Sequence, residues 1–138
     1  MKKIFQLATA LVLLAACSSG STAGSDVTGE WKLISYGDAA NPTPAIPKVE
    51  TSISFDSNGQ ISGNVGCNSF GGNYEVNGDK IAFNSMMATL MFCEETSSQE
   101  QAVLSIFSDN MKLSIQRDAD RLTITSADGS SVVNLARN

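Results

Sequence analysis

The chain contains 138 residues, with 9 Lys and Arg, 14 Asp and Glu and no histidine, so its formal net charge is −5. This length is enough for one domain with a single hydrophobic core. The acidic balance and the absence of a basic cluster argue against a nucleic-acid partner, and the missing histidine removes the commonest acid–base catalyst. We therefore expect neither nucleic-acid binding nor enzymatic activity.

The N-terminus has the pattern of a secretory signal. Lys2 and Lys3 form a basic start, and residues 4–16 are an apolar segment shorter than the roughly 20 residues that span a membrane. The segment ends in Leu-Ala-Ala-Cys at Cys17, which resembles the bacterial lipobox. We predict a lipoprotein signal peptide over residues 1–16 and acyl chains such as palmitate on Cys17. An ordinary signal peptide with an incidental cysteine is the alternative.

A lipidated Cys17 implies anchoring in the cell envelope. By resemblance to enterobacterial lipoproteins, Ser18 after the cysteine favours the outer membrane, facing the periplasm. Residues 17–27 are rich in Gly, Ser and Thr and predict a flexible tether. Residues 17–138 number 122, with seven basic and fourteen acidic side chains and hence a formal charge of −7. Anionic headgroups would repel such a domain, so membrane attachment should depend on the lipid anchor.

Residues 28–138 are predicted to form one β-rich domain. Residues 31–36 alternate as a first strand, with Trp31 and Leu33 on one face and Tyr36 on the other. The proline-rich segment that follows cannot continue this strand and predicts a loop.

Two further strands are predicted on either side of an Asp-Ser-Asn-Gly turn at residues 56–59. Their alternation places four apolar side chains on one face: Ile53, Phe55, Ile61 and Val65. Residues 74–76 and 80–83 then predict a hairpin, because Asn77-Gly78-Asp79 between them contains the strongest short-range hairpin signal.

Cys67 and Cys93 are the cysteines that remain if Cys17 is lipidated. In an oxidising compartment this pair predicts a disulfide that links a glycine-bent corner to a methionine-rich run. Two buried reduced thiols are one alternative. A reactive thiol is another, but it would need an activating base or a positively charged neighbour, and the chain has no histidine that could act as that base.

Five residues of the run between these cysteines are large and apolar: Met86, Met87, Leu90, Met91 and Phe92. The pattern favours side chains that fill an irregular core beside the disulfide. The second interpretation is an apolar binding surface for an acyl chain or an apolar segment of an envelope protein, because methionine suits adaptable surfaces. The methionines form no spaced repeat, which disfavours a Cu(I) site, and we expect no metal or cofactor.

The same stretch resembles the signature of META/HslJ-like domains. The resemblance is carried by Gly66-Cys67-Asn68, Phe70, Tyr74, the Met86-Met87-Ala88-Thr89 run, Met91 and Cys93. A helix opened by Glu and Gln follows in that family, and residues 99–101, Gln-Glu-Gln, match it here. The resemblance extends over about residues 28–135. It implies a small β-rich fold and an association with stress, without a defined molecular activity.

The C-terminal third predicts one helix and a strand meander. Residues 97–100, Ser-Ser-Gln-Glu, match a capping box, and apolar residues at helical spacing follow as far as Phe107. A catalytic acid at Glu94, Glu95 or Glu100 has no partner to support it. Three alternating segments after the helix predict antiparallel strands.

These elements together predict a mainly β fold with one α-helix. We expect a strongly bent antiparallel sheet or a partly open small β-barrel, with the helix packed at one opening. The favoured function is a lipid-anchored cell-envelope protein with a non-catalytic binding or maintenance role in envelope stress tolerance. The alternatives are a structural or protective disulfide-linked module without a ligand, a pilot-like assembly factor for an outer-membrane complex, and an enzyme of unrecognised type.

Overall fold

The computed structural model describes residues 26–109 and 111–138, and within these ranges it contains nine β-strands and one α-helix. The strands are β1 Gly29–Asp38, β2 Thr43–Pro44, β3 Ser52–Phe55, β4 Gln60–Asn64, β5 Ser69–Asn77, β6 Lys80–Ala88, β7 Leu113–Asp118, β8 Arg121–Thr125 and β9 Ser131–Arg137. The helix, α1, covers Ser97–Ile106. No helix in the described ranges is long and apolar enough to cross a membrane. The predicted lipidation site Cys17 lies outside them.

The sheet closes on itself. From β3 to β9 each strand pairs antiparallel with the next, while β1 pairs with both β3 and β9. β2 adds two residue pairs beside β1. The shortest seam joins β6 to β7 through the pairs Lys80/Ser114 and Ile81/Leu113. The result is a closed eight-stranded antiparallel barrel, and the prediction of a mainly β fold with one helix is confirmed.

The barrel interior is filled by the apolar side chains that alternate inward. Ile53, Phe55, Ile61 and Val65 are at most 1% exposed, so the predicted inward face of β3 and β4 is confirmed. The Phe55 ring packs edge-on against Tyr74, with the centroids 5.0 Å apart. Such burial is the main favourable contribution to folding a domain of this size.

β1 departs from the alternation that its sequence predicts. Trp31, Leu33 and Tyr36 are all buried, although Tyr36 was expected on the opposite face from the other two. The register with β9 shifts between Leu33 and Ser35, where β1 holds one extra residue. Because a bulge reverses the facing of every later side chain, the prediction for Tyr36 was wrong.

The two ends of the barrel carry different parts of the chain. The chain enters at the anchor end, defined by the start of β1, where Trp31 Nε1 donates a 2.8 Å hydrogen bond to Val27 O. The helix end is the opposite one, where β1 finishes and α1 lies. There Gln99 donates from Nε2 to Val65 O and accepts from the backbone N–H of Ile46.

α1 closes the helix end with its apolar side. Val103, Ile106 and Phe107 are buried, and the Phe107 ring lies 4.8 Å from that of Phe83 and 6.0 Å from that of Phe70. The helix therefore packs at one opening of the barrel, as predicted. This arrangement puts the first turn of α1 beside the corner between β4 and β5.

Candidate functional site

A disulfide joins Cys67, in the corner between β4 and β5, to Cys93, in the segment that leads into α1. The two Cα atoms are 6.2 Å apart and the cysteines are separated by 26 positions in sequence. The predicted pairing is therefore confirmed. The bond ties the end of the methionine-rich run to the barrel wall.

Glu100 is a buried carboxylate whose hydrogen bonds come mainly from this corner. Its Oε1 accepts from the backbone N–H groups of Cys67 and Asn68 and from the Thr96 hydroxyl at 2.8 Å. Its Oε2 accepts from Asn68 Nδ2 at 2.7 Å. The predicted capping box over residues 97–100 was wrong, because the residue before α1 is Thr96 and no side chain caps the helix.

The charge of Glu100 is compensated by these donors. Burial alone would raise the pKa of Glu100, but the hydrogen bonds from Cys67, Asn68 and Thr96 together lower it below the ordinary value of 4.5. A carboxylate that accepts several backbone and side-chain hydrogen bonds is stabilised in its ionised form. Glu100 is therefore a buried anion near neutral pH.

Gly66 lets Glu100 approach the corner. A Cβ atom at this position would lie 2.8 Å from both Glu100 Cγ and Thr96 Cβ, closer than real Cβ contacts allow. The glycine is needed for space, since its backbone is not in the left-handed region. In the Gly-Cys-Asn motif, Gly66 therefore leaves space for Glu100, and Cys67 forms the disulfide.

Asn68, the third residue of the motif, connects Glu100 to the methionine-rich run through its side-chain amide. Nδ2 donates to Glu100 Oε2 and to Met91 O at 2.9 Å. Oδ1 accepts from Thr89 Oγ1 and from the backbone N–H of Met91, both at 2.8 Å. Every donor and acceptor of the amide is engaged by this arrangement, and it fixes the backbone of the run from inside.

The side chains of the run point outward. We call residues 86–92 the Met-rich loop. Four of its five large apolar side chains are strongly exposed: Met87 74%, Leu90 97%, Met91 59% and Phe92 83%. Met86 alone is half-buried and packs against the core. The favoured interpretation of these residues as core filling was wrong for the other four. Met87 lies within β6 but is exposed to solvent, and Leu90, Met91 and Phe92 follow the end of β6 at Ala88, where the chain continues outside the barrel.

An apolar groove lies between the Met-rich loop and α1. One cleft of about 360 Å³ is bounded by residues 88–93 and by Gln101 and Leu104 of the helix. A second cleft of about 340 Å³ is bounded by Phe70, Met86, Met87, Leu104 and Asp109, among others. Ala88 and Leu104 line both clefts. The two clefts therefore form one continuous surface, which we call the helix groove.

The border of the helix groove is acidic. Cys93 lines the first cleft, and the next two residues in the chain, Glu94 and Glu95, are exposed. Asp109 lines the second cleft and is also exposed. Asp109 Oδ1 also accepts a 3.0 Å hydrogen bond from the backbone N–H of Met86. Residues 81–111 contain no Lys or Arg. The groove therefore combines apolar walls with negative charge at its edge.

A larger depression of about 710 Å³ lies elsewhere, across the seam between β6 and β7. Lys80 at its wall is engaged with Ser114 at 2.8 Å and with Asp79 at 3.7 Å. No strongly exposed large apolar side chain lines it. In the described part of the chain, no group of three or more His, Cys, Asp or Glu side chains is arranged to hold a metal ion. For an apolar ligand the helix groove is the stronger candidate.

The fold and the N-terminus define a class: exported proteins with a small closed β-barrel domain on a lipid anchor. Residues 1–18 match the prokaryotic membrane lipoprotein lipid attachment site. Residues 25–138 match the META domain, and the chain belongs to that family. It is a membrane-anchored protein of the cell envelope.

Solved structures share the fold at low sequence identity. A protein from Burkholderia xenovorans, solved by NMR, is 22% identical, with a TM-score of 0.62 over 79% of this chain and 81% of that one. A DUF4847 family protein from Bacteroides vulgatus, solved by crystallography, is 15% identical, with a TM-score of 0.60 over 80% of this chain and 93% of that one. No curated protein matches the chain. At these identities the likeness concerns the fold alone.

Proposed function

We propose that this protein binds an apolar segment of another cell-envelope protein at the helix groove and carries out no chemistry itself. The observation that carries the proposal is the exposure of four large apolar side chains on a loop whose backbone is fixed by Asn68 and the disulfide. Burying such a side chain contributes about 1.5–3 kcal/mol. Contiguous exposed apolar surface of this kind marks interaction sites in soluble domains.

The position of the groove supports a protein as the occupant over the anchor's own acyl chains. The Met-rich loop is at the helix end, and the chain joins the barrel at the anchor end, where Asp26 O accepts from Arg117. Nine residue steps separate Cys17 from Asp26, which reach at most about 30 Å when fully extended. The tether therefore attaches to the barrel at the end opposite the groove, which favours an occupant other than the anchor's own acyl chains.

The state of Glu100 supports the non-catalytic part of the proposal. General acid catalysis at neutral pH needs a carboxyl group with a raised pKa, whereas the pKa of Glu100 is lowered. Both of its oxygens are occupied by donors from the corner and from Thr96. The buried carboxylate is therefore suited to holding the Met-rich loop.

We further propose that the anchor lies in the outer membrane facing the periplasm, and that the protein acts in envelope stress tolerance. Ser18 after the lipidated cysteine supports the location, and the family resemblance supports the role. Stress that unfolds envelope proteins exposes apolar segments, which are the ligands that the helix groove fits. A purely structural module would have no use for this exposed surface.

Photo-crosslinking in cells tests the proposal. The full-length lipidated protein carries a photoreactive amino acid at position 90 in the groove or, as a control, at position 58 in an exposed turn at the anchor end. We expect a discrete protein adduct at position 90 that is absent at position 58 and is lost when Phe92→Ser is added. Identical adducts at both positions, or lipid adducts alone at position 90, would contradict the proposed function.

A further inference from the structure

We propose that the bound segment is amphipathic, with apolar side chains in the helix groove and Lys or Arg side chains facing its acidic border. This inference rests on the proposed function and adds the chemistry of the partner. Two properties of the groove carry it, namely its division into two apolar clefts and the sign of the charge around them.

The apolar part of the segment follows from the shape of the groove. Two clefts of about 360 and 340 Å³ meet at Ala88 and Leu104, so a ligand that fills both must present apolar side chains at two places along its length. One wall is α1 itself and the other is the Met-rich loop. An amphipathic helix that inserts apolar side chains three or four positions apart fits such a groove. Methionine side chains on the loop wall can adapt to the shape of these residues.

The basic part follows from the carboxylates that border the groove. Glu94 and Glu95 are adjacent in the chain to Cys93, which lines the first cleft, and Asp109 lines the second; all three carboxylates are exposed. The segment that builds both walls, residues 81–111, supplies no Lys or Arg to neutralise them. Oppositely charged residues that flank the apolar anchors of a ligand would accelerate binding and select against acidic segments. An anionic membrane surface is disfavoured by the same charges.

Three synthetic peptides test the inference against the full-length lipidated protein in nanodiscs of zwitterionic lipid. Each is an 18-residue amphipathic helix with the same Leu face, and the polar face carries Lys, Gln or Glu. Fluorescence anisotropy is measured with empty nanodiscs as the blank. We expect the Lys peptide to bind at least tenfold more tightly than the Glu peptide, with the Gln peptide between them. The difference should shrink with added salt, because the charges are exposed.

Charge-matched variants locate the effect. Glu94→Gln with Glu95→Gln should reduce the preference for the Lys peptide to about threefold or less, since two of the three border charges are removed. Glu30→Gln with Glu50→Gln removes the same charge from exposed positions outside the groove and should leave the preference unchanged. Leu90→Ser should weaken all three peptides, because it acts on the apolar wall.

The outcomes separate this inference from the proposed function. Equal binding of the three peptides, still weakened by Leu90→Ser, would overturn the charge inference and leave the binding function in place. Binding of none of them would overturn both. Groove-dependent binding of vesicles containing phosphatidylglycerol, with no preference among the peptides, would replace the protein partner by a lipid surface.

Discussion

Asn68→Ala should release the Met-rich loop from the barrel. The substitution removes four hydrogen bonds, of which two join the backbone of Met91 and one joins the buried carboxylate of Glu100. Water can replace the bonds at exposed Met91, whereas Glu100 Oε2 loses a charge-assisted partner worth about 1.5–3 kcal/mol. Allowing about 1 kcal/mol for the remaining bonds, we expect the free energy of unfolding to fall by about 3 kcal/mol.

Two measurements on the purified full-length protein test this expectation. Urea denaturation gives the loss of stability. Hydrogen exchange at the Met91 amide, which donates to Asn68 Oδ1, reports the release of the loop and should become faster than global unfolding allows. Asn134→Ala is a matched control, because Asn134 bonds Thr123 and Ser35 on the barrel wall; it should lower stability and leave exchange at Met91 no faster than global unfolding allows.

A loss below about 1 kcal/mol, together with unchanged exchange at Met91, would refute the reasoning. The loop would then be held in place without the amide of Asn68. A large loss of stability with exchange at Met91 no faster than global unfolding allows would also count against it, because the defect would lie in the core.

Four further substitutions test the residues that support the loop. Glu100→Gln should destabilise the fold by about 2 kcal/mol at pH 7. That difference should narrow as the pH falls below 4.5, because a group with a lowered native pKa loses its stabilising effect when it is protonated. Cys67→Ala and Cys93→Ala should each cost about 3–4 kcal/mol and should not add in the double variant, since one bond is lost in all three. Gly66→Ala should cost about 1–3 kcal/mol from the clash with Thr96.

All of these variants are measured by urea denaturation, with control variants for Glu100→Gln and Gly66→Ala. Glu95→Gln changes an exposed carboxylate and should stay within about 0.5 kcal/mol of the parent at pH 7. A constant deficit of Glu100→Gln down to pH 3 would show that its charge is unimportant. Additive losses in the double cysteine variant would contradict a shared bond. Gly71→Ala meets only an ordinary contact at 3.5 Å, so an equal loss there would remove the special role of Gly66.

The local pattern of the sequence was sufficient to predict most of the strands. Period-two alternation identified the buried face of β3 and β4, and the turn that joins β5 to β6 lies between Asn77 and Lys80, as the Asn-Gly signal indicated. The predicted facing of Tyr36 was wrong because a single extra residue in β1 shifts the register with β9. Nothing in the local sequence pattern marks that position. Closure through β1 and β9 depends on contacts between distant parts of the chain.

The candidate site was predicted less completely, because its geometry is set by distant contacts. Glu100 matches a helix-capping pattern locally, but its partners lie more than 30 positions earlier, at Cys67 and Asn68. The motif resemblance marked Asn68 and Glu100 without giving their connection. The Met-rich loop was identified as an apolar run, but hydrophobicity alone does not tell an interior segment from an exposed binding surface. The domain boundaries after residues 16 and 27 stay predictions.

The orientation of the helix groove in the lipid-anchored protein is the most direct test of the proposed function. The methyl signals of Met87 and Met91 can be followed by NMR in nanodiscs, with a paramagnetic label placed either in the water or on the lipid chains. We expect the water-soluble label to broaden both signals and the lipid-bound label to leave them sharp. Broadening by the lipid-bound label, with protection from the soluble one, would show that the groove sits in the bilayer and would contradict a protein partner.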